Sequence, residues 1–297
     1  RETLLNRPAL YPPHGVEPNF NNPSTFRPQM LGVGISMFVI PTLAVAVRVY
    51  TKLVVLKKLA LEGYLIISSW VSFPLYILVN QKGAGEHEWN LRVRDMIPFL
   101  YYLQIANTMY GIAIVLLKAA IIVQCLRVLV PTGFHTSTYW VLHALLSTHI
   151  IFYVIVTFIE IFNCSPRRKT WDPTVQGGHC MDGTATNIST AVINTASDLI
   201  LVVIPQIIIW RLNIAIQKKW ALSGLFLVGL LACAASTVRM YYSIFLGHFI
   251  RVGRDYTWGA TMMGLSTTVE ICCGFLAVCM PTIPCFFKHE PVNSAMS

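Results

Sequence analysis

Residues 97–127, IPFLYYLQIANTMYGIAIVLLKAAIIVQCLR, decide what kind of protein this is. The stretch is apolar for longer than the roughly 20 residues an α-helix needs to cross a ~30 Å hydrocarbon core, and only Lys118 interrupts it before Arg127 closes it. Six more runs of the same character flank it, at about 30–50, 59–80, 139–163, 184–212, 220–249 and 258–287. The expected fold is therefore all-α: a polytopic membrane protein, a bundle of seven transmembrane helices over 30–287. Hydrophobic residues make up 55% and charged residues 12% of the 297-residue chain. The charged share is about half of what an ordinary soluble domain carries, and the mean hydropathy of +0.60 agrees.

Residues 1–29 hold six prolines and no apolar period, which predicts a disordered or surface-draped N-terminal segment and not a signal peptide. Residues 288–297 are expected to be a short cytosolic tail. A net charge of +9 could point to nucleic acid, but the Lys and Arg residues are scattered between apolar runs. No nucleic-acid partner is expected, and membrane lipid is.

Basic residues do not settle the orientation, because both sets of loops carry them. Cysteine gives a better handle. Cys125, Cys233, Cys272, Cys273, Cys279 and Cys285 lie in apolar runs, where thiol packing is the ordinary role. Cys164 and Cys180 share the loop between the fourth and fifth runs, around Trp171 and Pro173. A disulfide between them requires an oxidising compartment, which places that loop and the N-terminus outside or in a lumen.

Charged side chains inside a bilayer are costly and mark protein-lined or watery environments. Lys118, Asp198, Arg239 and Glu270 each fall inside an apolar run. Counting at 1.5 Å per residue puts Asp198, Arg239 and Glu270 at one depth, roughly 15–18 Å from the outer end. Asn187, Asn194 and Asp198 lie on one helical stripe, and Gln104, Asn107, Gly111 and Lys118 on another. With Tyr101, Tyr110 and Trp70 near in sequence position, these residues predict a pocket that opens outward. Its candidate ligand-binding set is Gln104, Asn107, Tyr110, Asn194, Asp198, Arg239 and Glu270. One guanidinium cannot neutralise two acids, so Asp198 and Glu270 around Arg239 read either as a packing network or as a site.

His143 and His149 fall on different faces and read as packed histidines, so no metal is expected. No phosphate loop, CxxC, HExxH or nucleophile elbow is present. The last run has no lysine for a retinal Schiff base, and no cofactor is expected. Asn187-Ile-Ser matches a glycosylation acceptor at an awkward helix mouth.

Several motifs recur in an informative order: Arg48-Val-Tyr, Leu61-Glu62-Gly63-Tyr64, Gly83 through His87 to Trp89, Lys118 with Arg127, and Cys164 through Trp171 to Gly178-His-Cys180. They continue with Ser197-Asp198, Pro205, Trp210, Lys219, Ser236 to Arg239, Asp255-Tyr-Thr-Trp258, and Glu270 with Cys279-Met-Pro281. In this order they resemble the fungal rhodopsin-like domain family, seven-helix proteins related to a fungal receptor implicated in sensing plant surfaces. Gly63, Ala119 and Gln124 depart from the family pattern.

The resemblance implies a receptor-like integral membrane protein that binds a small, partly apolar ligand, with a heterotrimeric G protein as the implied partner. Its alternative is a membrane-embedded acid/base enzyme of fungal secondary metabolism that opens or cyclises a lipophilic epoxide. In that reading Asp198, Glu270 and Arg239 are the catalytic residues.

Overall fold

The structure, a computed structural model, describes residues 5–20, 23, 25–57, 60–80, 85–129, 137–172, 174–210, 216–252 and 255–283. Seven long helices run through the described residues: α1 Arg27–Tyr50, α2 Leu61–Asn80, α3 Val93–Leu129, α4 Ser137–Ile161, α5 Gly183–Trp210, α6 Ile216–Val252 and α7 Tyr256–Cys279. Six of them, all but α2, are long and apolar enough to cross a membrane. The expected tail at 288–297, Cys285 and Pro284 lie outside the described residues.

The bundle turns large apolar side chains outward and holds a set of polar and charged groups within an otherwise apolar core, unlike a water-soluble protein. Leu31, Ile35, Val39 and Leu43 of α1, Ile151, Val154, Ile155 and Phe158 of α4, and Leu199, Val203 and Ile207 of α5 are all exposed. Chain-facing positions instead include Arg48, Glu62, Lys118, His149, Asn194, Asp198, Arg239 and Glu270, all buried. Only lipid makes that arrangement stable, since lipid-facing leucines need no burial and inward polar groups need partners.

Helix α7 runs through the centre, packing on α1, α2, α3 and α6. Its composition explains this: Gly259, Ala260, Gly264, Ser266, Thr267, Thr268 and Cys272 present little bulk, and each of the Ser and Thr hydroxyls here folds back onto its own helix. A Cβ on Gly274 would come within 2.6 Å of a Leu117 methyl, so the bare backbone is what lets α7 seat against α3. The main core, Ile66, Phe73, Tyr76, Ile114, Leu117, Tyr153, Ile271 and Phe275 among others, fills the space between α2, α3, α4 and α7.

Pro41, Pro74 and Pro205 lie inside α1, α2 and α5, and Pro98 inside the first turns of α3. Pro281 falls in a 3-10 turn, Met280–Thr282, that ends α7. Arg94 and Asp95 lie in α3 ahead of the apolar run, because the helix continues past the hydrocarbon region.

One end of the bundle carries the N-terminal segment and both ordered caps. Residues 7–9 pair with 91–93 through Ala9 N–H to Leu91 O (2.8 Å) and Val93 N–H to Arg7 O (3.1 Å). In the α4–α5 loop, β1 Cys164–Ser165 pairs antiparallel with β2 His179–Cys180, and Cys164 and Cys180 are joined as a disulfide. Trp171 of this loop meets Tyr101 of α3 edge-on at 5.3 Å, which fixes the loop at the same end as the N-terminal segment.

Within the loop, Asp172 accepts from both the hydroxyl (2.6 Å) and the backbone N–H (3.0 Å) of Thr174, and pairs with Arg168 at 3.2 Å. The Thr174 hydroxyl, with help from its N–H and Arg168 against the opposing effect of burial, holds this carboxyl below its ordinary value of 3.8. A carboxyl lowered on folding stabilises above its unfolded pKa and loses that contribution as pH falls through the lower folded one. Loop amides around 172–175 should therefore lose hydrogen-exchange protection below about pH 4, and Thr174→Val should move that loss to higher pH.

The motif Glu86 to Trp89 and the motif Asp255 to Trp258 prove to be two halves of one cap. His87 lies between the rings of Trp89 (4.3 Å) and Trp258 (4.7 Å), and its Nδ1 meets Asp255 Oδ2. Asp255 also caps α7 through Trp258 N–H, while Glu88 accepts from Tyr256 N–H at 2.8 Å. Burial, opposed by that N–H and reinforced by Asp255, pushes the Glu88 carboxyl up. Gly85, at φ 88°, brings its N–H to Thr261 (2.9 Å) where a side chain would press on Phe26 and Arg27 backbone.

Candidate functional site

Four charged side chains from four helices meet in the middle of the bundle. Lys118 of α3 pairs with Asp198 of α5 at 2.8 Å, and Arg239 of α6 pairs with Glu270 of α7 at 3.3 Å. Asn194, one turn before Asp198, joins the two pairs. Its Nδ2 donates to Glu270 Oε1 (2.6 Å), and at 3.4 Å to Asp198 Oδ2. Its Oδ1 accepts from Lys118 (2.7 Å) and from the Tyr153 hydroxyl (3.1 Å). The amide orientation is dictated by its neighbours, since only the oxygen can face an ammonium and only the NH2 a carboxylate.

Lys118 is saturated. Beyond Asp198 it donates to Asn194 O (2.9 Å), Asn194 Oδ1 and Ser197 Oγ (2.7 Å). Arg239 is not. It reaches Glu270 by charge alone, stacks its guanidinium 4.8 Å over the Tyr110 ring, and leaves Nε and Nη2 buried without hydrogen-bond partners. The Tyr110 hydroxyl and Glu270 Oε2 are buried in the same condition.

The sequence reading had two acids around one guanidinium. The structure corrects it: Lys118 supplies the second cation, and two acids face two bases. A layer neutral overall costs far less to bury than an unbalanced triad.

This layer separates two sets of cavities. Toward the disulfide end lies a polar cavity of about 260 Å³, lined by Gln104, Asn107, Asn163, Asn187, Ser243 and Tyr256 together with Leu100, Leu103, Leu246 and Met263. It adjoins an apex of about 30 Å³ bounded by Tyr110, Glu160, Thr190, Arg239 and Thr267, the two sharing Leu103, Asn107, Asn187, Ser243 and Met263. Toward the other end lies an apolar cavity of about 110 Å³ among α3, α5, α6 and α7, with Lys118, Asp198 and Glu270 at its polar end.

The predicted pocket residues are thus divided. Gln104 and Asn107 line the disulfide-end cavity, and Tyr110 and Arg239 its apex. Asp198 and Glu270 face the opposite, apolar cavity, while Asn194 is closed within the layer. Trp70 is elsewhere, donating to Thr42 of α1 (3.1 Å), and Tyr101 lies under the disulfide loop. His149 packs at a tilt against Tyr153 (4.7 Å) and His143 against Tyr139 (4.3 Å). Among the described residues no group of three His, Cys, Asp or Glu side chains is placed to hold a metal ion.

Sequence reasoning missed Glu160 as a cavity residue because it ends an apolar run and reads as a helix terminus. It also missed the polar contacts at the end remote from the disulfide. There Arg48 donates to Val278 O and to Gln124 Oε1 (2.7 Å), and Gln124 Nε2 to Val278 O (3.2 Å). Close by, Glu62 takes Arg127 at 2.7 Å and Lys52 at 3.6 Å. Glu270 and Val278, two turns apart, tie α7 to both the charge layer and this second lock.

Apolar outer faces, six helices able to span and an inward charge layer define a multi-pass integral membrane protein. The fungal rhodopsin domain matches residues 47–289, and the chain belongs to that family. It is 29% identical to "Fugralins biosynthesis cluster protein 2" of Gibberella zeae, over 97% of this chain and 72% of that protein. It is 32% identical to a "SAT4 family membrane protein" of Emericella nidulans, over 72% of this chain and 52% of that protein. It is also 25% identical to "Polyenoic acids biosynthesis gene cluster protein Ba17b" of Metarhizium anisopliae, over 68% of this chain and 58% of that protein. The chain thus spans between about half and three quarters of these relatives' lengths. No solved structure matches.

Proposed function

We propose that this chain is a receptor-like protein of seven membrane-spanning helices that binds a small, partly apolar ligand in the disulfide-end cavity. The observation that carries the reading is the apex of that cavity, where Arg239 of the charge layer presents a buried Nη2 without a hydrogen-bond partner beside the Tyr110 ring. A ligand there competes with Glu270 for Arg239. Helix α7 carries Glu270 toward the Arg48–Gln124–Val278 lock, so a shift of α7 changes the far end of the bundle. Only a ligand that favours one arrangement of α7 over the other produces a signal.

Helix α2, at 20 residues, has the length of a span and serves as the seventh, with Glu62 in its first turn neutralised by Arg127 and Lys52. The disulfide supports an oxidising compartment, outside or lumenal, for the end that also bears the N-terminal segment. The opposite end then faces the cytosol, where a heterotrimeric G protein is the proposed partner. Membrane lipid covers the apolar outer faces.

A lipophilic photoaffinity probe tests the cavity. Label should appear on α5 and α7 peptides containing Asn187 and Met263; label confined to lipid-facing Val154 and Phe158 rejects the site. Nucleotide exchange on a reconstituted G protein, unchanged by every ligand that labels the cavity, would reject the signalling arm.

A second reading rests on the apolar cavity and on Glu270 Oε2, a buried carboxylate oxygen with no hydrogen bond. Two relatives carry biosynthesis-cluster names, which favours an enzyme of secondary metabolism. In that reading the protonated form of Glu270 gives its proton to the oxygen of a lipophilic epoxide as the C–O bond breaks and is left a carboxylate held by Arg239, while a water adds to the carbon that becomes positive and gives its proton to Asp198. Purified protein should then convert such an epoxide and lose turnover as Glu270→Gln; turnover that survives both Glu270→Gln and Asp198→Asn rejects this chemistry.

A further inference from the structure

The apex of the disulfide-end cavity has a chemical signature that narrows the ligand class. Arg239 is 5% exposed, and while its Nε faces Glu270 at 3.3 Å, its Nη2 is buried without a hydrogen-bond partner; the Tyr110 hydroxyl, 7% exposed, lies beside Tyr153. A buried charged donor left unsatisfied is costly, so Nη2 calls for an acceptor brought from outside. The guanidinium lies over the Tyr110 ring, which holds these donors on one wall of the apex. Glu160 occupies the same apex and supplies an acceptor, its own backbone carbonyl being taken by Gln104 (2.8 Å). From there the cavity widens along Leu100, Leu103, Leu246 and Met263.

Resting on the ligand-cavity reading above, we propose that this site takes an amphipathic hydroxy acid: its carboxylate on Arg239 and Tyr110, its hydroxyl donating to Glu160, and its hydrocarbon chain along the leucines. A carboxylate suits a guanidinium better than any neutral acceptor, because both are planar and the contact is charge-assisted. A phosphate dianion suits it less, since it would bring a second negative charge to a guanidinium already paired with Glu270.

The test is binding of 3-hydroxydecanoate, decanoate and methyl 3-hydroxydecanoate to the full chain in lipid nanodiscs, with three variants. The hydroxy acid should bind at least about ten-fold more tightly than its methyl ester, the scale of a charge-assisted hydrogen bond. Tyr110→Phe removes one hydroxyl, and its melting is compared with the parent's so that a loss of binding is separated from a loss of folding. The substitution should weaken the acid by about ten-fold while sparing the ester, and Glu160→Gln should erase the preference for hydroxydecanoate over decanoate. Asn187→Trp, which fills the cavity, should abolish all binding. If acid and ester bind equally and both are lost in Asn187→Trp, the cavity reading stands and the hydroxy-acid assignment falls. Binding indifferent to Asn187→Trp overturns both.

Discussion

Lys118→Ala is expected to destabilise the bundle by about 3–5 kcal/mol, the loss that follows removal of one partner from a buried ion pair. The lysine donates to Asp198, Ser197 and both oxygens of Asn194, and none of these can turn to water. Asp198 would be left buried with the long Asn194 contact (3.4 Å) in place of its ion pair. The double variant Lys118→Met with Asp198→Leu should recover most of the loss, because an apolar pair of similar bulk avoids an uncompensated charge. Melting of the single and double variants in detergent measures this; additive losses would mean that the two residues do not form a pair.

The second large effect belongs to the disulfide loop. Cys164→Ser with Cys180→Ser should cost about 3 kcal/mol on the chain-entropy account, the closed loop spanning 16 positions. Besides the disulfide, the loop is held by two two-residue strands, a 3-10 turn at Arg167–Thr170, the Asp172 contacts, Lys169 Nζ donating to Gly177 O (2.7 Å) and Gly178 O (3.1 Å), and the Trp171–Tyr101 contact. Gly178 adds a further constraint. At φ 75° its Cβ would stand 2.3 Å from Ser165 O, so Gly178→Ala should disturb the strand pair even with the disulfide intact. Proteolysis of the loop under native conditions reads both changes, and cleavage no faster than in the parent would contradict them.

Much of this architecture is legible in the sequence because a bilayer imposes length and polarity on every span. Each apolar run became a helix, with ends shifted where capping chemistry rather than hydropathy sets them. Asp255 starts α7, and α3 begins at Val93 because a helix can continue into the headgroup region with Arg94 and Asp95 exposed. The paired cysteines were legible for the same reason, as the pair that shares a loop outside the apolar runs.

The charge layer was only half legible. Cost alone marks Lys118, Asp198, Arg239 and Glu270 as unusual, yet pairing depends on where helices start and how they cross. Counting depth in residues groups Asp198, Arg239 and Glu270 but leaves out Lys118, which lies far along a 37-residue helix. Asn194 was expected to line the pocket and instead closes the layer, because its amide is the one group able to serve an ammonium and a carboxylate together. The Arg48–Gln124–Val278 lock has no sequence signal, since one acceptor is a backbone carbonyl.

On the proposed function, occupancy of the disulfide-end cavity is felt at the other end of the bundle through α7. Hydrogen exchange of the full chain in nanodiscs, with and without saturating 3-hydroxydecanoate, tests this most directly. Altered protection is expected at amides from Gly274 of α7 to Thr282 in the turn that follows it, beyond the charge layer and remote from the ligand. Changes confined to cavity-lining residues such as Asn187, Ser243 and Met263, with Gly274 to Thr282 unaffected, would contradict it.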